Sequence, residues 1–436
     1  MASSGFTAAL DLGGLPPGER IAYRVRFESL ASPGASSEPL VGTFQTAPRV
    51  ARRIRVAWSG DTVGQGWGID ASRGGLRMFE TIRRAEPDVF INSGDIIYAD
   101  NPLVAEVPLP DGTVWRNLVT EAKSKVAETL DEYRGNFAYN LLDEHARRFY
   151  ASVPTITQWD DHDVCNNWFP GLQLDEDPRF TVKDASVLAA RAKQALFEFA
   201  PIRRHPDEQG RVYRRFSYGP LLEIFVLDLR SYRGPNNANR QAAPGPAATI
   251  LGAAQMRWLE EGLRTSTALW KVLACDMPIS LVVSDTRHGQ TGYEAVANAQ
   301  PGAPAGRELE IASLLRFMKR ERIRNIVWVT ADVHYAAAHH YAPERAGFTD
   351  FDPFWEFVAG PLHAGNFGPN ALDMTFGPEV RFTTAVSGAR TGRPPSDNLQ
   401  FYGTLDVDPG TRVLTVGLHN VLGARLWQVE IPPSTP

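Results

Sequence analysis

Cysteine is nearly absent from this chain: Cys165 and Cys275 are the only two in 436 residues. Two cysteines cannot build a disulfide framework, and so sparse a pair leaves the redox compartment open. Both read as small buried side chains rather than ligands or nucleophiles. No apolar run approaches the roughly 20 residues that a membrane-spanning helix needs. A long basic run is also missing, and the net charge of -5, from 45 Lys and Arg against 50 Asp and Glu, gives no reason to expect nucleic acid. The opening MASSGFTAALDLGGLPPGER has neither a basic nor an apolar segment of the secretory kind. It is not a signal peptide as written, and a start downstream of one stays compatible with it. The chain lacks a G-x-S-x-G elbow, which disfavours a Ser/His/Asp hydrolase.

What is present is ordinary in bulk and unusual in pattern. With 43% hydrophobic and 22% charged residues the chain is typical of globular proteins. Its length exceeds one ordinary core, so one large domain with an appendage, or two domains, is expected. Ten Trp and 22 Phe point to an aromatic-rich interior or cleft, and 32 Pro with 37 Gly to many shaped loops. In residues 1–48, IAYRVRF and VGTFQT read as two strands joined by a Ser/Pro/Gly loop. They resemble the end of a fibronectin-type sandwich, which takes about 100 residues when complete.

The rest of the chain is organised around Asp88–Asp100, DVFINSGDIIYAD. DVFIN reads as a buried strand, Ser93-Gly94 breaks it, and Asp95 follows, with Tyr98 and Asp100 just beyond. Taken alone, Ser-Gly-Asp is also common turn chemistry. The pattern then recurs. RIRVAWSGD ends in Asp61, PTITQWDDHD in Asp160, Asp161, His162 and Asp163, and LLEIFVLDLR in Asp228 and Arg230. LWKVLACDMP ends in Asp276, and NIVWVTADVH in Asp332 and His334. Periodic helical segments lie between, at Leu76–Ala85, Val187–Phe199, Gln255–Leu263 and Leu309–Arg322, with helical character across Glu121–Tyr133 in a polar insertion. The alternation predicts an α/β layered fold with its acidic strand ends on one edge. The final YGTLDVDPG and TRVLTVGLHNVLGARLWQVEI alternate like antiparallel strands that complete a sheet. Carboxylates, one phenol and one imidazole form a hard-ligand set, able to hold two cations about 3.5–4 Å apart. Trp58, Trp67, Trp159 and Trp168 flank the motifs, as pocket walls or as core.

Together, the GDT at Asp61, GDIIYAD at Asp95, DDHD at Asp161 and DVH at Asp332 resemble the successive motifs of calcineurin-like metallophosphoesterases. Tyr98, three residues after Asp95, is similar to the ferric-iron tyrosine of purple acid phosphatases. WDDHDVCNNW and LDLRSYR look more like the alkaline phosphatase D (PhoD) family. The resemblance implies a four-layer sandwich of two mixed sheets flanked by helices over residues 49–436, with residues 1–48 as a partial β appendage. It implies two metal ions, with Asp61, Asp95, Tyr98 and His334 on the first, Asp95 bridging, and Asp161, Asp276 and Asp332 completing the second. Ferric iron would take the Tyr98 site, and calcium, manganese or magnesium the carboxylate-rich one. By the same resemblance a metal-bound hydroxide attacks a phosphate mono- or diester while His162 aids departure of the alcohol. Asn166, Asn167 and Arg230 would hold phosphate oxygens. Related proteins can use Asn in the third motif, His at later positions and Cys in the first motif; here those places hold Asp161, Asp276, Asp332 and Ser59-Gly60-Asp61. Asp160 and Asp161 are adjacent, and the sequence leaves open which one faces metal. A periplasmic or secreted location also follows from the family alone. The competing reading is a non-catalytic calcium-binding or adhesion protein on the same scaffold. His162 and Tyr98 argue against it, since a structural calcium site needs neither.

Overall fold

The computed structural model describes residues 4–286 and 292–434, so residues 1–3 and 435–436 of the two expected segments lie outside the described residues. Each apolar run that ends in an acidic residue forms a strand. Ile54–Ser59, Val89–Asn92 and Thr155–Thr157 lie side by side in parallel. The antiparallel strands Phe401–Val407, Leu414–Asn420 and Arg425–Ile431 extend this sheet to six, as their alternation predicts. The close approach of Phe401–Val407 to Ile54–Ser59 requires a glycine: a Cβ at Gly403 would sit inside the Trp58 indole. In the second sheet, Leu222–Val226, Trp270–Ala274, Ile326–Thr330 and Phe354–Val358 run parallel. Arg214–Tyr218 closes one edge antiparallel, and Ala337–Tyr341 followed by Pro378–Thr383 the other, giving seven strands.

The strand period of two decides which side chains meet. Val56 and Trp58 from the first sheet, and Ile224, Val226 and Val272 from the second, fill one apolar layer between the sheets. The alternate residues face outward. Ala57 and Phe90 meet Phe79, Ile82 and Phe149 of the helices Arg77–Arg84 and Glu144–Tyr150. Phe225, Leu273 and Trp328 meet Leu259, Leu263, Leu314 and Phe317 of the helices Ala253–Thr265 and Glu308–Arg320. The result is the expected four-layer sandwich, helices on the outside and two mixed sheets within. Among the described residues no helix is long and apolar enough to cross a membrane.

Two further helices, Leu130–Asn140 and Ala185–Phe199, pack on each other beside the strand ends, with Trp159 and Trp168 in the same cluster. The first begins later than the sequence pattern implies. Thr129 Oγ1 accepts from the Glu132 amide (3.3 Å) while Glu132 Oε2 accepts from the Thr129 amide (2.9 Å), a reciprocal cap that fixes the start. Upstream, Glu121–Lys123 forms only a 3-10 turn. The chain there is drawn to the Tyr98 loop instead, with Leu103 N donating to Lys123 O (2.7 Å) and Ala127 N to Ala99 O (2.8 Å). At the N-terminal side, Arg20–Val25 and Leu40–Gln45 pair antiparallel. This two-stranded sheet leans on the main body through Ala151, whose carbonyl accepts from Tyr23 Oη (3.1 Å) and Thr43 N (3.0 Å).

Ile224 is fully buried between the sheets. Ile224→Ala should therefore lower unfolding free energy by about 2–5 kcal/mol, whereas Leu422→Ala, at a side chain 66% exposed, should stay within about 0.5 kcal/mol of the parent. Denaturant titration of the two variants checks this, and equal losses would contradict the assigned core.

Candidate metal centre

All six acidic strand ends fall at the C-terminal edges of parallel strands, three in each sheet. The two sheets converge so that Asp61 and Asp95 from one meet Asp332 and His334 from the other. The turns that achieve this are tight. Asp61, Asp95, Asp332 and His334 all have left-handed backbones, with φ of 67°, 45°, 66° and 57°. Non-glycine residues held there cost roughly 1–3 kcal/mol each and persist only where the surroundings over-determine them. Gly94, at φ 96°, makes the crossing possible, because a Cβ there would lie 2.5 Å from the Asp160 Cβ.

Three sets of side chains offer ligand atoms within 4.8 Å of one another: Asp61, Asp95 and His334; Asp95, Asp161 and His162; and Asp160, Asp161 and Asp332. Asp95 belongs to the first two and Asp161 to the last two. Burial, followed by repulsion from neighbouring carboxylates, pushes Asp61, Asp95 and Asp332 well above the usual carboxylate range. The cluster must therefore hold protons or cations. Both oxygens of Asp61 are buried without a hydrogen-bond partner among the described residues, as a carboxylate reserved for a cation would be. Asp161 differs. Burial would raise it, but His162, Arg230 and the amides of Asn167 (2.5 Å) and His162 (2.8 Å) hold it down at about 2.

The two histidines are prepared for different tasks. Burial lowers His334 to about 3, so the ring is neutral. Its Nδ1–H donates to Gly365 O (2.5 Å), which leaves the Nε2 lone pair 2.7 Å from Tyr98 Oη and 3.6 Å from Asp61 Oδ1. His162 goes the other way. Burial would lower it, yet Asp100 and Asp161 raise it to about 10, and Nδ1–H donates to Asp100 Oδ1 at 2.6 Å. The other Asp100 oxygen accepts from Asn166 N (2.9 Å). Tyr98, fully buried, stacks on His162 with ring centroids 4.3 Å apart, and burial raises its phenol well above 10.

An open cleft of about 420 Å³ lies over this cluster, and Asp95, Asp161, His162, Asn166, Asn167 and Asp332 reach it. Four of the expected residues do not: Asp61 and Tyr98, which are buried within the cluster, and Arg230 and Asp276. Arg230 is fully buried behind the cluster, its Nε donating to Asp160 Oδ1 (2.6 Å) and its Nη1 to Glu294, so it has no face free for a phosphate oxygen. Asp276 lies against the same guanidinium, 3.3 Å from Nε, and joins none of the three sets among the described residues. Arg230 donates to Asp160, whereas both Asp276 oxygens are buried without a hydrogen-bond partner among the described residues, as those of Asp61 are. Asp228, next door, caps its own turn by accepting from the Arg230 and Ser231 amides (3.0 and 2.9 Å) and from Trp159 Nε1 (3.0 Å). None of the four motif tryptophans lines the cleft among the described residues; Trp58 is core, and Trp159 and Trp168 pack on each other.

Some residues gain a place that their sequence positions did not announce. Asp100 orients His162. Asp163 ties two loops together, accepting from Ile97 N (3.1 Å) and Asp160 N (2.9 Å). Glu294, in a stretch without a strand-end pattern, faces Arg230, Arg233 and the cleft. Only Asp100 and Asp163 carried a signal, since both sit inside the acidic motifs.

Residues 56–418 match the family described as PhoD-like phosphatase. Alkaline phosphatase D of Bacillus subtilis (strain 168) is 29% identical over 304 residues, covering 66% of this chain and 48% of that protein. The chain thus spans about half the length of this curated relative. Among solved structures, one of PhoD superposes with a TM-score of 0.64 at 21% identity, over 96% of this chain and 75% of the other. Purple acid phosphatase PPD1 from yellow lupin (Lupinus luteus) seeds gives a TM-score of 0.54 at 11% identity, over 96% and 60%. At these identities the two likenesses are of fold.

Lys123 braces the site from the insertion. It is 2% exposed and donates Nζ to Tyr98 O (2.8 Å), and burial pulls its ammonium from 10.5 down to about 7 against the pull of Asp100. The unfolded chain therefore binds this proton first as pH falls. Stability present above 10.5 is lost progressively as pH drops through 7. Lys123→Met should remove that slope, so that parent and variant melting curves converge toward high pH and separate toward neutrality; curves that stay parallel across the window would contradict a neutral buried lysine.

Proposed function

This chain belongs to the PhoD-like phosphatase family, and we propose that it is a metal-dependent phosphoesterase whose two cations share Asp95. The single observation behind this reading is the membership of Asp95 in two adjoining liganding sets. Asp61, Asp95, Tyr98 and His334 would hold the first ion. Asp95, Asp161 and Asp332 would hold the second, with Asp160 at its margin and Asp276 left to Arg230. A phenol, two carboxylates and an imidazole suit ferric iron, and an all-oxygen set suits calcium, manganese or magnesium. When bound, such ions neutralise phosphoryl oxygens and make water more acidic.

The chain's own groups account for the remaining needs of ester hydrolysis. His162, cationic through Asp100 and Asp161, has Nε2–H as its remaining donor, and its place at the cleft suits protonation of the departing alcohol oxygen. Asp100 acts through it, fixing the ring's orientation and charge. Asn166 and Asn167 reach the cleft and supply amide groups toward phosphate oxygens. A purely structural calcium site would have no use for the His162–Asp100 pair, which counts against the adhesion reading. Residues 49–436 are taken as the catalytic unit because the last three strands share the sheet of Ile54–Ser59, with residues 1–48 as its appendage. Export to the periplasm or beyond belongs to the same proposal and rests on the family resemblance.

Asp95→Asn should reduce hydrolysis of a generic phosphate monoester and diester at least about hundredfold and lower bound metal from two ions to one or none. Undiminished turnover in that variant would sink the mechanism. If iron occupies the first set, the protein should show a visible charge-transfer band. Tyr98→Phe should abolish the band while elemental analysis still finds iron; a band that survives the substitution would remove Tyr98 from the ligands.

A further inference from the structure

Asp161, His162 and Asn167 give the cleft a polar lining, and Val283, Phe367 and Pro369 give it an apolar wall. Phe367 is 38% exposed although its ring stacks on His334, with centroids 4.6 Å apart and planes 28° from parallel. Phe367 is thus held beside the proposed ligand set and keeps part of its surface exposed at the cleft. Val283 is not loose either. It packs on a small apolar cluster of Leu281, Val333 and Tyr335 that continues into the sheet. The exposed carbon surface of Phe367 is available for burial by a ligand in the cleft.

We infer that this wall receives the organic part of the ester, an uncharged alkyl or aryl group, while the phosphate lies toward Asp95 and Asp161. The inference rests on the phosphoesterase reading and narrows it. Two observations choose the group. The wall is apolar, so it rewards burial of carbon surface. Asp95, Asp161, Asp332 and Glu294 line the same cleft, so a second anionic group on the substrate, beyond the phosphate that cations would hold, meets repulsion. The volume of about 420 Å³ lies at the smaller end of small-molecule sites and accommodates a phosphate with a short organic group.

Methyl-, hexyl- and phenylphosphonate, which cannot be hydrolysed, separate the wall from the chemistry. Titrated calorimetrically into the manganese-loaded protein, the hexyl or phenyl compound should bind about tenfold more tightly than the methyl one. Preference for hexyl marks an alkyl ester as the natural class, and preference for phenyl an aromatic one. Phe367→Ala should shrink the ratio to about twofold or less, and Phe367→Leu, which keeps apolar surface, should retain most of the hexyl preference. Equal binding of all three phosphonates, or a ratio untouched by Phe367→Ala, overturns the inference. If turnover of a simple phosphate ester persists in that case, the phosphoesterase reading stands alone. Absence of both phosphonate binding and ester hydrolysis overturns the two together.

Discussion

Repulsion among buried carboxylates is the constraint on which this structure depends. Asp61, Asp95, Asp160, Asp161 and Asp332 present oxygens within 4.8 Å of one another in overlapping sets. At that separation, and at an effective dielectric constant near 20, each ionised pair repels by roughly 3 kcal/mol or more. No arrangement of apolar packing removes such a term; only protons, cations or a shift apart can. The left-handed turns at Asp61, Asp95, Asp332 and His334 prevent the shift, because each turn is locked by the strand that feeds it and the sheet behind it. The architecture thus holds the charges together against both strain and repulsion, and the apolar layer between the two sheets is the reservoir that offsets them.

Part of the neutralising charge is internal. Arg230 lies behind the cluster with Asp160, Asp276 and Glu294 around its guanidinium, and burial of these carboxylates is tolerable because a fixed cation sits among them. The guanidinium thus offsets charge on the Asp160 and Asp276 side, and the charge of Asp61 and Asp95 is left to protons or cations. Asp161 stands at the border, its oxygens engaged by the His162 and Asn167 amides on one side and facing Asp95 on the other. Without Arg230 the set would be larger and more anionic, and its preference among cations less defined.

Most of the fold was legible in the sequence, for a definite reason. Buried parallel strands write themselves as continuous apolar runs, and each of the six runs ends in the residue that the site uses or caps with. The antiparallel C-terminal strands were equally clear from their alternation. What sequence could not convey was direction and depth. The family resemblance implies a phosphate-holding Arg230 and a metal-binding Asp276; the packing sets Arg230 inward against Asp160 and Glu294, with Asp276 beside it. The helix starts at Leu130 rather than upstream because Thr129 and Glu132 form a reciprocal cap there, a pattern that the helical composition of Glu121–Tyr133 does not by itself reveal. Glu294 and Phe367 belong to loops with no periodicity, and nothing short of three-dimensional packing brings a loop residue to a site.

Those two loop residues also show how such a scaffold separates reaction from selectivity. On the proposed function, most of the charges that would act on a phosphate are carried by strand ends and fixed by the sheets. The apolar part of the cleft is carried by Val283 and by the Phe367–Asn370 segment, outside any strand or helix and held to the core by Tyr335, Val282 and His334. A change of side chain there alters what surrounds the ester without moving a ligand. On the proposed function, the sheet edge would hold the phosphate and the loop beside it would choose among esters.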